Sequence, residues 1–248
     1  MNSFDSKLFW LKNKPIAHRG LHDGNKKIIE NSISSIREAI NKNLPIEIDL
    51  QLSKDDIAVF HDSNLERLCG IKIDIKKISK KDFNRFKLLD SNDTILSLEE
   101  VLEEAQGKVP LLIEIKNFSL SKKIEKKLIK VLSAYKGEFA IQSFNPFSIN
   151  FIKEQKPDWI CGQLIGKVEY IETLFPLNYI IYFYEKYNAR NLDFCAIDIN
   201  ALNEKILATM KKNNLLILAW TIKNKEQLQK AQKFADNIIF ENIEILKI

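Results

Sequence analysis

The chain is poor in the residues that most often carry chemistry or punctuate structure. Of its 248 residues only three are cysteines, Cys69, Cys161 and Cys195. They form no CxxC pair and leave one over in any disulfide scheme, which argues against a disulfide framework and a structural zinc and points to a reducing cytoplasm. Seven glycines and six prolines are too few for long disordered linkers. No apolar run approaches bilayer length. Met1-Asn2-Ser3-Phe4-Asp5 lacks the basic and then apolar order of a secretory signal. No GxSxG, no P-loop and no GxGxxG after a strand occurs, so serine-hydrolase and nucleotide-loop chemistry have no foothold.

What is present describes a globular chain with a sizeable core: 45% apolar and 29% charged residues. The formal charge of +5 is mostly lysine. Clusters such as Lys122-Lys123, Lys126-Lys127 and Lys130 have no interleaved aromatics, so they read as solvated helix faces and not as a nucleic-acid surface. A small anionic substrate drawn to a mildly basic mouth suits this balance better. Near the N-terminus, Phe4, Leu8, Phe9 and Trp10 fit a short helix that closes the bottom of a barrel better than a foot on a membrane.

All three histidines, His18, His22 and His61, lie between Ile16 and Leu68. Between the first and last of them, residues 46–52 alternate apolar and polar, the period of a strand, with Glu47, Asp49 and Gln51 on one face. Further strands are expected at 15–17, 111–116, 139–144, 160–165, 194–199, 216–222 and 237–240. Helical segments fall between them, with caps at Ser32 and Ser97 and a helix start at Pro146. The turn at Ser53-Lys54-Asp55-Asp56 folds 57–60 back on strand two as a hairpin and delivers His61. The aromatic run Tyr179 to Tyr187 reads as strand or helix; taken as helix, it leaves eight strands. Strand alternating with helix eight times over residues 1–248 is the rhythm of a single-domain (β/α)8 barrel, whose functional groups sit at the C-terminal ends of strands.

The polar residues at those ends form a coherent set. Glu47, Asp49 and Glu114 make a hard oxygen-ligand site suited to Mg²⁺ or Ca²⁺. Arg19 and Lys116 are fixed cations matched to phosphate. His18 and His61 can pass protons both ways near neutral pH, whereas His22, in a loop, reads as structural. Trp220 is either core or a platform for substrate. Metal, cations and two imidazoles point together to cleavage of a phosphate ester. Each piece also has a duller origin, such as a salt-bridged strand face; the joint placement favours a site.

The motifs His18-Arg19-Gly20, Glu30-Asn31-Ser32, Glu47-Ile48-Asp49, Ser53-Lys54-Asp55 and Val59-Phe60-His61-Asp62 resemble the ordered signature of the glycerophosphodiester phosphodiesterase family. Glu114-Ile115-Lys116, Gln142-Ser143-Phe144 and Ala219-Trp220-Thr221 resemble its later strands. The resemblance implies a (β/α)8 barrel that uses a divalent metal to release sn-glycerol 3-phosphate and an alcohol. It implies His18 and His61 as the acid–base pair, Glu47, Asp49 and Glu114 as metal ligands, and Arg19 and Lys116 on phosphate. It also implies attack by the glycerol 2-hydroxyl, giving a cyclic phosphate that water opens. A lysophospholipase D, or a lyase that stops at the cyclic phosphate, would use the same site; a non-catalytic phosphate-binding barrel is the third reading. The short link from His61 to Glu114 leaves little or no room for the insertion domain many bacterial members carry. The ending Ile238-Ile239-Phe240-Glu241-Asn242 departs from the family pattern.

Overall fold

A computed structural model describes residues 8–166, 192–241 and 244. In chain order the elements are α1 (Phe9–Asn13), β1 (Ile16–Ala17), α2 (Ile33–Asn41), β2 (Ile46–Leu52), β3 (Ile57–Val59), α3 (Glu66–Cys69), β4 (Leu96–Ser97), α4 (Leu98–Ala105) and β5 (Leu111–Ile115). Then come α5 (Lys123–Leu132), β6 (Phe139–Ser143), α6 (Pro146–Gln155), β7 (Ile160–Ile165), β8 (Phe194–Asp198), α7 (Glu204–Lys212), β9 (Leu216–Ile222), α8 (Lys225–Phe234) and β10 (Asn237–Phe240). No helix among the described residues is long and apolar enough to cross a membrane. The aromatic run at 179–187 lies outside the described residues.

Two compact units divide the chain, residues 16–139 and residues 1–15 with 140–248. In the first, β2 is the organising strand. It pairs in parallel with β1 through Ala17 and Ile46, and with β5 in the register Glu47–Leu112, Asp49–Glu114. The hairpin is formed: β3 runs antiparallel to β2, with Leu50 facing Val59. A two-residue strand, β4, extends it. Residues Ile46 to Gln51 are all buried, so the polar face of the alternating strand is enclosed and not solvated. That is the environment of a strand in a parallel sheet.

Local chemistry sets the helices of this unit. Ser32 caps α2 and Ser97 caps α4, each in a reciprocal capping box, with Ser35 and Glu100 respectively. Between His61 and β4 the chain makes a compact excursion with a small core of its own. Phe60, Leu65, Leu68, Ile75, Phe83 and Leu88 pack there against Ile29. A hydrophobic seat of this kind holds a loop-rich segment that has little regular backbone pairing.

In the second unit β6 to β10 are parallel neighbours in sequence order. Pro146 opens α6 after the cap Asn145, and Asn203 and Asn224 cap α7 and α8. In α1, Trp10 and Leu11 are buried, while Phe9 is 53% exposed. A helix of five residues is little more than one turn and cannot turn the whole expected apolar set inward. The Asn237 side chain donates to the carbonyls of Leu11 and Lys14, tying this turn to β10.

Candidate functional site

The first strand ends in a tight turn that aims two side chains at β2. Arg19 and Gly20 both have left-handed backbone, with φ of 55° and 78°. At Gly20 a side chain is also sterically excluded, because a Cβ there would run into the Ser35 hydroxyl. The turn is pinned from several sides. Arg19 N–H donates to Glu47 Oε2 at 2.9 Å, Gly20 N–H to the Glu47 carbonyl at 3.2 Å, and Asn31 N–H to the Arg19 carbonyl at 2.8 Å. A non-glycine residue held left-handed at such a point is strain that its surroundings must support.

Three carboxylates meet at the centre of this unit. One oxygen each from Glu47, Asp49 and Glu114 lies within 4.8 Å of the others. All three residues are buried. Asp49 and Glu114 are direct cross-strand neighbours, and Glu47 is two residues before Asp49 on the same face. Two cations hold the cluster. Lys116 Nζ sits 3.0 Å from Asp49 Oδ1 and 2.6 Å from Glu114 Oε1. Arg19 Nε is 3.2 Å from Asp49 Oδ2, and Asn31 Nδ2 donates to that same oxygen at 2.9 Å.

Burial raises all three acids, and their neighbours set them apart. Burial, with the Asp49 and Glu114 charges, pushes the Glu47 carboxyl well above the ordinary carboxylate range. For Asp49 the opposing burial is outweighed by Lys116 and Arg19, which hold it well below that range. Burial also raises Glu114, though Lys116 opposes it. Glu47 Oε1 is enclosed with no hydrogen-bond partner among the described residues. A buried carboxylate oxygen without a donor is costly, and a divalent cation held by three hard oxygens would satisfy it. The donor set therefore fits Mg²⁺ or Ca²⁺.

Both candidate histidines flank the cluster. His18 Nε2 is 3.9 Å from Glu47 Oε2. His61 follows the hairpin, where Phe60 N–H donates to the Asp49 carbonyl and the Gln51 amide to the His61 carbonyl. His61 Nδ1 lies 2.6 Å from Asp62 Oδ1. His22, by contrast, is buried in its loop, its Nδ1 accepting from Gly24 N–H. Trp220 is on β9 of the other unit. It packs edge-on to Phe144 with ring centroids 5.7 Å apart, and its indole N–H has no partner among the described residues.

The sequence did not single out Asn31, Asp62 or Arg67 as working residues. Arg67, in α3, grips Glu30 through Nη1 and Nη2 at 2.9 and 2.7 Å, and Asp62 through Nε at 2.7 Å. Glu30 Oε1 also accepts from Arg19 Nη1 at 2.7 Å. Such pairs span up to 37 residues, so no local spacing announces them. The only signal available was the placement of Glu30, Asn31 and Asp62 inside the motifs.

Comparison with known proteins agrees in scope and in kind. The profile of the "Glycerophosphoryl diester phosphodiesterase family" matches residues 18–244. A protein from Caldanaerobacter subterraneus, named glycerophosphodiester phosphodiesterase, is 31% identical over 95% of this chain and 97% of its own length. Among solved structures, a phosphodiesterase from Oleispira antarctica, in complex with the product sn-glycerol-3-phosphate, aligns with a TM-score of 0.76 at 21% identity over 94% of both chains. A glycerophosphodiester phosphodiesterase from Thermotoga maritima aligns with a TM-score of 0.73 at 22% identity, covering 95% of this chain and 97% of that one. These likenesses show the fold, the (β/α)8 class expected from the alternation of strands and helices.

Proposed function

Because this chain belongs to the glycerophosphoryl diester phosphodiesterase family, an enzyme family of phosphoric diester hydrolases, we propose that it hydrolyses glycerophosphodiesters to sn-glycerol 3-phosphate and an alcohol with the help of one divalent cation, Mg²⁺ or Ca²⁺. The observation that carries this reading is the buried carboxylate triad, within 4.8 Å, bordered by Arg19, Lys116 and two histidines.

Glu47, Asp49 and Glu114 hold the cation. When bound, it supplies positive charge to the phosphoryl oxygens and so lowers the cost of the charge that builds there. Arg19 and Lys116, already fixed by their carboxylate partners, present N–H groups to the same oxygens. His18 and His61 exchange the protons. One imidazole nitrogen takes the proton of the attacking oxygen, and the other returns one to the oxygen of the departing alcohol. Three cysteines with no CxxC pair and one left over in any pairing suit a reducing cytoplasm.

His18→Ala and His61→Ala test the assignment through release of glycerol 3-phosphate from small soluble glycerophosphodiesters. Each variant is expected to lose at least about 100-fold in turnover while keeping its thermal midpoint within a few degrees. Appreciable turnover by both would overturn the acid–base roles.

A further inference from the structure

Arg67 lies outside every motif of the sequence and 43% of its side chain is exposed, yet it is the most heavily committed cation of its unit. Its guanidinium uses two edges. One edge, Nη1 and Nη2, meets both oxygens of Glu30 at 2.9 and 2.7 Å. The other, Nε with Nη2, meets both oxygens of Asp62 at 2.7 and 3.2 Å. Arginine alone among side chains can offer two such forks.

Each carboxylate passes the constraint on. Glu30 Oε1 receives Arg19 Nη1 at 2.7 Å, and Glu30 Oε2 receives the Asn25 amide at 2.7 Å. Asp62 Oδ1 stands 2.6 Å from His61 Nδ1. A carboxylate kept ionised by a guanidinium accepts and does not donate. In its neutral form His61 therefore carries the proton on Nδ1, which leaves the Nε2 lone pair for chemistry. The acid–base imidazole and the phosphate-facing guanidinium of Arg19 thus share one anchor.

We infer that Arg67 is a positioning residue for the reaction: through Asp62 it selects the His61 tautomer with Nε2 bare, and through Glu30 it holds the Arg19 fork in place. This rests on the functional reading above for the roles of His61 and Arg19, but the contacts that carry it do not. Asp62 and Glu30 are held below their ordinary range, Glu30 at about 2; in both cases burial opposes the shift and hydrogen bonding overcomes it, from Arg67 at Glu30 and from His61 and Arg67 at Asp62.

The test uses the full chain and two readouts. Arg67→Ala is expected to lower kcat about 10–100-fold, the usual effect of removing a group that orients a working side chain, with KM changed less than about threefold. Added guanidinium should restore a good part of kcat. Nitrogen NMR of the labelled protein in EDTA should show His61 as the Nδ1–H tautomer in the parent and a mixture in the variant; with three histidines in the chain the resonances are assignable by substitution. Arg37→Ala, which removes an exposed pair with Glu104, is the control and should change neither readout. If Arg67→Ala does not fold, Arg67→Lys, which keeps the charge without the fork, should show the same fall in kcat. A kcat within about twofold of the parent overturns the inference. So does a fall that guanidinium does not relieve while His61 keeps a single tautomer. The tautomer readout needs no turnover, so it stands or falls apart from the proposed reaction.

Discussion

Lys116→Met isolates the electrostatic bargain at the centre of the site. Lys116 Nζ lies between Asp49 and Glu114 at 3.0 and 2.6 Å, with only 8% of its side chain exposed. Methionine preserves much of the stem and removes the charge, so the change is read as lost pairing and not as lost packing. Deleting one partner of a buried ion pair costs about 3–5 kcal/mol because the other charge is left uncompensated. At about 2–4 °C per kcal/mol for a chain of this size, the melting point in EDTA should drop by roughly 10 °C. If the same carboxylates hold a divalent cation, that cation stabilises the folded state by mass action. Saturating Mg²⁺ or Ca²⁺ should then raise the melting point of the variant by more than that of the parent, closing much of the gap. Thermal unfolding of both proteins in EDTA and in millimolar metal reads this without any turnover. A loss below about 1 kcal/mol in EDTA, or equal metal-induced shifts in the two proteins, would refute the reasoning.

Two further outcomes follow from the same geometry. Glu30 has its carboxyl depressed from 4.5 to about 2, the Arg67 and Arg19 contacts overcoming the burial that opposes them. A depressed carboxylate contributes stability above its unfolded pKa and loses it as pH falls through the folded value, so about 3 kcal/mol should disappear between pH 4.5 and 2. Urea titrations across that window should show the slope, and Glu30→Gln should flatten it. Gly20→Ala places a methyl group against Ser35 in a left-handed backbone; a loss of at least about 1–3 kcal/mol in chemical unfolding is expected, and a neutral variant would show the turn to be more yielding than its contacts indicate.

The parts of this protein that were legible in its sequence are those written in short-range pattern. The alternation of residues 46–52 gave strand β2 and put Glu47 and Asp49 on one face; an apolar run at 111–116, interrupted on one side by Glu114 and Lys116, gave β5. Ser32 and Ser97 announced helix starts because a cap is a local hydrogen bond, and Pro146 did so because its fixed φ suits the first helical turn. What local pattern could not carry is pairing at a distance. Nothing near Arg67 indicates that it meets both Glu30 and Asp62, and nothing near Asn31 indicates its bond to Asp49. The two-residue β4 is too short to show a period. The solvent-facing side of an alternating strand was the natural guess for Glu47 and Asp49 in isolation. Burial of both faces is set by how β1, β2 and β5 pair in parallel, which is tertiary information.

The most direct test of the central claim is release of glycerol 3-phosphate from glycerophosphocholine and glycerophosphoethanolamine after EDTA treatment, followed by addition of Mg²⁺ or Ca²⁺, for the parent and for Glu114→Gln. The account predicts no release in EDTA, recovery on adding metal, and a higher metal requirement in the variant. Undiminished release in EDTA, or equal metal requirement in the two proteins, would contradict it.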